Sequence, residues 1–380
     1  MANIEVKTRQ FDIDWLRIIL ILSVFFYHIG MVFVPWAWHI KNQETLNWLI
    51  QPMHFLHLWR MPLLFLISGV ATYYAIGSRN SFDYIKERSL RLLLPLVVGM
   101  FLLVPVQVYI ERINSYNSLL DFYKDMFNGI YPQGNLSWHH LWFIAYLFII
   151  SLVFSILINY FKSDKFLKLK SKSECFFNNF YRINLLIIPT LIIHPILLKY
   201  YPNQTNDIIN DWAWLVFYFT FFILGFAIIS SNIVRNNISR ERRKFLIQAI
   251  FLTVIVFSII IIIKNGSSDN LYLLRLINSY ADILLIWACS MVAIGYSSQY
   301  LNLDTKFRKY ATEAIYPFYL LHQPVIVIVA YLVISLNIGV ALKSVLITII
   351  SLFSCVALYH LIIKRINVLR VIFGLKKLKK

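Results

Sequence analysis

The sequence predicts an all-α integral membrane protein, a bundle of about ten transmembrane helices with both termini cytoplasmic. Three observations predict it. The first is composition: of 380 residues, 59% are hydrophobic and only 14% are charged, a balance that suits a polytopic membrane protein and no soluble globular domain. The second is a series of apolar runs long enough to cross a bilayer. The third is the distribution of Lys and Arg between those runs.

In order, the runs are Leu16–Val34, Leu58–Ile76, Leu90–Ile110, Leu141–Phe161, Ile183–Leu198, Trp212–Ser231, Phe245–Ile263, Leu274–Tyr296, Ala314–Leu336 and Val340–Ile363. The fifth is short and least clear. In the second, Ser68 and Gly69 of FLISG suit close helix approach. In the ninth, Pro324 is expected to kink the helix and free carbonyls beside His322. No internal repeat or low-complexity linker interrupts the series, so residues 1–380 read as a single membrane domain. The first run is long and lacks a small-residue cleavage pattern, so it reads as a retained helix and not a signal peptide.

The segments Met1–Asp14, Gly77–Arg91, Lys162–Arg182, Asn232–Lys244, Ser298–Glu313 and Lys364–Lys380 carry 27 of the 36 Lys and Arg residues. They alternate with basic-poor loops. The positive-inside rule then puts these segments, and both termini, in the cytoplasm. The formal charge of +18 is dispersed among apolar spans. It reads as a topology signal and not as a nucleic-acid surface. Cys175, Cys289 and Cys355 lie far apart and show no disulfide, metal or redox spacing. HFLH (His54 to His57) lacks a third ligand, so no metal is expected.

Orientation gives each ionisable residue a depth. Such residues are costly inside a bilayer, and those that persist face a protein interior or a wet cavity. Arg17 and His28 both lie in the first helix. Eleven residues at 100° each bring them to one face, roughly 16 Å apart along the axis. Arg17 falls near the inner boundary, with Asp14 one turn before it to orient the guanidinium. His28 falls in the outer half, where an imidazole suits general-base chemistry. Arg88 and Arg91 open the third helix on the inner side. Guanidinium forks there suit phosphate, with snorkelling to lipid headgroups as the competing explanation. His57 and Arg60 lie one turn apart near the outer face and suit an anionic or hydroxyl-rich acceptor, or a developing oxyanion. His140 and Trp142, at the outer start of the fourth helix, are candidates to close that site. His322 is a further candidate there. Tyr27 reads as packing, and Arg275 with Asp282 as a structural ion pair on the eighth helix.

Taken in order, Arg17 and His28, then FLISG, the arginine pair ahead of Leu92-Leu93-Leu94-Pro95, HLWF, and Tyr319-Leu320-Leu321-His322-Gln323-Pro324 resemble the membrane acyltransferase-3 family. The resemblance covers nearly the whole chain. Trp38-His39, His57 to Met61, the PLVVGMFLLVPVQ stretch and His140 to Phe143 resemble a branch that succinylates periplasmic glucans. The resemblance implies a multi-pass enzyme of the bacterial inner membrane, moving an acyl group (succinyl or acetyl) from cytoplasmic acyl-CoA to an extracytoplasmic carbohydrate. It makes Arg17 and His28 the essential pair.

The expected site is therefore His28 as general base, with Arg17 holding the donor and Asp14 orienting it. Arg88 and Arg91 assist on the donor side, and His57, Arg60, His140, Trp142 and His322 lie on the acceptor side. The expected partners are acyl-CoA, a carbohydrate acceptor and membrane lipids, with self-association left open. The rival from another class is an exporter of polysaccharide or lipid-linked sugar. The absence of an internal repeat argues against it.

Overall fold

The structure, a computed structural model, describes residues 10–77, 79–266 and 271–378. Among them ten helices are long and apolar enough to cross a membrane: α1 (Phe11–Met31), α2 (Asn47–Ile76), α3 (Ser81–Glu111), α4 (His139–Phe161), α5 (Phe180–Leu198), α6 (Trp212–Ser230), α7 (Arg242–Lys264), α8 (Leu271–Tyr300), α9 (Lys306–Ile334) and α10 (Val340–Ile363). No strand occurs among the described residues; one isolated bridge joins Ile130 to Leu136. The ten apolar runs thus each correspond to a helix.

The boundaries differ where polar turns extend a helix. α2 begins eleven residues before Leu58, because Gln51, His54 and His57 interrupt the hydropathy run while remaining compatible with helix. α3 begins at Ser81, its first turn capped by Asn80 Oδ1, which accepts from the Asp83 amide at 2.8 Å.

Within the span read as a single domain, the chain forms two compact units. One comprises residues up to Arg17, Leu58–Tyr84 and Leu152–Thr305; the other comprises Ile18–His57, Ile85–Ser151 and Lys306–Lys380. In the first unit, α7 packs along α8, and α5 packs against α6 and α8. Two glycines bring α2 and α6 together. A Cβ on Gly69 would lie 1.9 Å from the Phe222 carbonyl oxygen, and one on Gly225 would lie 1.8 Å from that of Leu66. The backbones touch, as small residues permit in membrane helices. Arg235 of the helix Asn232–Arg240 reaches Asp12 at 2.5 Å, and that carboxylate is fully buried. One cation counted as a topology signal is therefore a structural partner.

The expected Arg275–Asp282 pair is not formed. Asp282 Oδ2 instead accepts from Asn278 Nδ2 at 2.8 Å, and Arg275 is exposed. Seven residues put Arg275 roughly 10.5 Å along the axis from Asp282, whereas Asn278 stands one turn away.

In the second unit, α9 packs against α10 and against the Val104–Glu111 part of α3. Its helices contain prolines, each of which removes an N–H and leaves the carbonyl four residues earlier without its helical donor. Three such carbonyls are met by side chains from elsewhere in the unit. Pro95 frees the Arg91 carbonyl, to which Tyr316 Oη donates at 2.8 Å. Pro105 frees that of Phe101, to which Tyr123 Oη donates at 2.9 Å. Pro324 frees that of Leu320, to which His140 Nε2–H donates at 3.1 Å. The expectation that Pro324 releases a carbonyl near His322 is met.

Tyr316→Phe should leave the Arg91 carbonyl without that donor. The unfolding midpoint in detergent should fall by the equivalent of about 1–3 kcal/mol; an unchanged midpoint would mean that another donor takes the carbonyl.

Candidate active site

α1 delivers His28 at its C-terminal end, where Lys41 holds the helix terminus. Lys41 Nζ donates to the Met31 carbonyl at 2.7 Å and also to that of Val34. A cation there complements the negative end of the helix dipole. Burial pulls the Lys41 ammonium below the usual lysine range.

Five histidines meet in this unit: His28, His39, His139, His140 and His322. His28 Nδ1 lies 2.9 Å from His322 Nε2, and His322 Nδ1 lies 2.5 Å from the Tyr319 carbonyl oxygen. A carbonyl only accepts, so His322 Nδ1 carries the proton and donates it. In the neutral ring, His322 Nε2 then holds a lone pair and accepts from His28 Nδ1–H. The neutral His28 ring consequently keeps its own lone pair on Nε2. His322 is fully buried. It acts as an orienting group in a low-dielectric setting, where such hydrogen bonds are strong. The Trp38 ring stacks near-parallel to His28, 6.2 Å between centroids.

His140 stands edge-on to His322, 5.4 Å between centroids. Its Nε2–H goes to the carbonyl freed by Pro324, its Nδ1 lies 3.4 Å from Gln107 Nε2, and its backbone carbonyl accepts from Tyr319 Oη. Each bond ties α4 to α9 or α3 and holds the histidine cluster in register.

A second chain runs beside the first. His39 Nδ1–H donates to Glu111 Oε2 in a short contact, so His39 Nε2 accepts from Gln323 Nε2–H at 3.1 Å. Gln323 is the immediate neighbour of His322. Tyr131 Oη donates to the other Glu111 oxygen at 3.0 Å. Burial and the Glu111 charge push the Tyr131 phenol up to about 12, so it remains a donor. His139 packs edge-on to both His39 and Tyr131, at 4.6 and 4.5 Å, with a backbone φ of 39°. A non-glycine residue in that left-handed region is strained, and such strain clusters at functional sites.

The remaining candidates fall as follows. Arg17 Nη2 lies 3.6 Å from Asp14 Oδ1, with the guanidinium about a third exposed. Arg91 Nη2 lies 3.2 Å from Glu87 Oε1, and both Arg88 and Arg91 are within electrostatic range of the Tyr316 phenol. The Ser89–Leu93 stretch between and beyond them is a π turn, an irregularity frequent at functional sites. His57 Nδ1 shares a 3.3 Å hydrogen bond with Tyr27 Oη, so Tyr27 does more than pack. His57 is exposed, whereas Arg60 is only 4% exposed and lies with Asp211 in electrostatic range of Tyr218. Trp142 sets its ring edge-on against Tyr146, a turn further along α4.

Sequence reasoning did not single out His39, Gln107, Glu111, Tyr131 or Gln323 as site residues. His39, Gln107 and Gln323 lie in stretches that carry the resemblance, the one signal the sequence offers for them. Nothing local marks Glu111, 72 residues from His39.

A family model described as an acyltransferase domain matches residues 10–360. The chain belongs to the acyltransferase-3 family and is a multi-pass membrane protein. It is similar to glucans biosynthesis protein C of Salmonella typhi, with 22% identity over 335 residues covering 83% of this chain and 82% of that protein. The protein of the same name from Escherichia coli O1:K1 / APEC is 23% identical over the same length and coverage. No solved structure matches the chain significantly.

Proposed function

We propose that this chain is a bacterial inner-membrane O-acyltransferase, moving a succinyl or acetyl group from cytoplasmic acyl-CoA to a hydroxyl of an extracytoplasmic glycan, with both termini cytoplasmic. One observation carries the reading. The His28–His322–Tyr319 chain of hydrogen bonds gives the α1 imidazole a defined tautomer, with its lone pair on Nε2. Family membership supplies the reaction class, and the relatives' name points to a glucan as the acceptor.

In the proposed step, His28 Nε2 removes the proton from a sugar hydroxyl as that oxygen attacks the thioester carbonyl carbon. His28 Nδ1–H stays on His322 Nε2, so the imidazolium that forms is held in place. Collapse of the tetrahedral intermediate breaks the carbon–sulfur bond. The departing thiolate takes the proton from His28 Nε2, which resets the base and releases CoA as the thiol.

Arg17, Arg88 and Arg91 fit the phosphates of the donor. Arg17 and Arg91 are partly exposed and each is partnered by a carboxylate. A phosphate can displace such a carboxylate at little cost, since ion pairs this exposed are worth about 0–1 kcal/mol. Arg17 holds the donor, and Asp14 orients its guanidinium until the phosphate arrives. Arg17→Lys replaces a fork by a point charge, so the KM for acyl-CoA should rise on the order of tenfold with a smaller change in kcat. An unchanged KM would remove Arg17 from donor binding.

The reading itself is tested with the purified protein, acyl-CoA and a glucan oligosaccharide. Mass spectrometry should find the acylated sugar, with release of one CoA thiol per ester. Thiol release and ester formation both absent would refute the reading.

A further inference from the structure

The loop that follows α3 carries a feature the proposed chemistry does not use. Residues 112–138 fold around a cavity of about 270 Å3 lined by Arg112, Tyr116, Asn128, Gln133 and Asn135. We propose that this cavity docks the carbohydrate acceptor, holding sugar residues next to the one being acylated. The inference rests on the acyltransferase reading above, which makes a glycan the acceptor and places this loop outside the membrane.

The cavity wall is built. Asn135, only 5% exposed, forms its hub. Its Oδ1 accepts from Arg112 Nη1 at 2.6 Å, and its Nδ2 donates to Tyr116 Oη and to the Asp125 carbonyl, each at 2.9 Å. Arg112 Nη2 donates to the Pro132 carbonyl at 2.6 Å. Backbone bonds from Asn135 N to Asn128 O and from Leu136 N to Gly129 O, at 3.1 and 3.0 Å, close the loop on itself. A Cβ on Gly134 would lie 2.1 Å from the Gly129 carbonyl carbon, so only glycine permits that crossing. The polar groups are therefore positioned before any ligand arrives, which reduces the ordering cost of binding.

A sugar hydroxyl both donates and accepts, and so does a side-chain amide. Asn128 and Gln133 stand exposed at the rim with that dual capacity. The Tyr116 ring and the exposed Ile130 side chain offer apolar surface to the C–H face of a pyranose. Arg112 is the sole charged residue in the lining, which suits a neutral polyhydroxyl ligand better than a polyanion.

The cavity and the histidine cluster lie in the same compact unit. The Arg112 guanidinium lies 5.6 Å from the centre of the Tyr131 ring. Tyr131 donates to Glu111, Glu111 accepts from His39, and His39 accepts from Gln323, the neighbour of His322. A chain of direct contacts thus leads from the cavity wall to the orienting histidine. The cavity wall and the histidine cluster are joined within one compact unit, and an oligosaccharide gripped in the loop is held to the same unit as the base.

The test reads binding alone. The full-length protein in nanodiscs is titrated with a linear glucose hexasaccharide and, separately, with glucose, by calorimetry. Wild type should bind the hexasaccharide more tightly than glucose. Gln133→Ala and Asn128→Ala, both at exposed positions, should each weaken the hexasaccharide roughly tenfold, as the loss of an amide hydrogen-bond pair implies. Failure of wild type to bind the hexasaccharide, or equal binding by wild type and both variants, would overturn the inference. Acyl transfer is not needed for the readout. A wild type that binds the sugar but never acylates it would count against the proposed function and not against the cavity.

Discussion

His28→Ala should leave a protein that inserts and folds but no longer acylates. General-base assistance is worth about 10²–10⁴-fold, and kcat should fall by that factor or more, because removing the ring also releases the His322 side chain. The variant is informative because His28 is partly exposed at its helix end, so truncating it leaves no large cavity. His322→Asn supplies the graded control. It retains a side chain able to accept from His28 Nδ1–H but loses the imidazole and its bond to the Tyr319 carbonyl, so its deficit should be smaller. The readout is ester formation on a glucan oligosaccharide, alongside gel filtration and a thermal melt in detergent. A His28→Ala protein that melts like wild type and acylates like wild type would remove the base from the mechanism.

Gly225→Val should be the most damaging single change to the fold. A Cβ there would stand 1.8 Å from the Leu66 carbonyl oxygen and 2.6 Å from the carbonyl carbon. These are backbone atoms, so no rotamer change relieves the overlap and the helices must separate. Separation also opens the reciprocal contact at Gly69, where the Phe222 carbonyl is equally close. Overpacking typically costs about 1–3 kcal/mol, and loss of a two-glycine contact should lie at or above the top of that range. Reduced yield and a melting midpoint many degrees below wild type are expected. Gly225→Ala should fall between the two. A wild-type melt for Gly225→Val would contradict the close α2–α6 approach.

The ten helices were legible because each is a long apolar run, and a bilayer leaves few other ways to satisfy a buried backbone. Their polar first turns were not: His54 and His57, or Lys306 to Glu313, lower local hydropathy without breaking a helix. Short-range chemistry was legible too. Asp14 meets Arg17 one turn on, and Pro324 frees the Leu320 carbonyl, because both follow from helix geometry alone. The same reasoning failed for Arg275 and Asp282, where a nearer amide captured the carboxylate. Long-range partners left no periodic trace. His28 and His322 are 294 residues apart, and Glu111 and His39 are 72 apart. The donors that answer the proline-freed carbonyls, Tyr316, Tyr123 and His140, lie 225, 22 and 180 residues away from them. Proline marks where a carbonyl is released; only the fold says which side chain takes it.

The proposed function requires an acyl group to pass from a cytoplasmic donor to an external sugar past His28. The most direct measurement uses proteoliposomes with the protein in one known orientation, radiolabelled acyl-CoA on the cytoplasmic face and a glucan oligosaccharide on the other. Label should appear on the sugar across the bilayer, with wild type and not with His28→Ala. Label on sugar only when donor and acceptor share a face, or transfer that persists without His28, would contradict it.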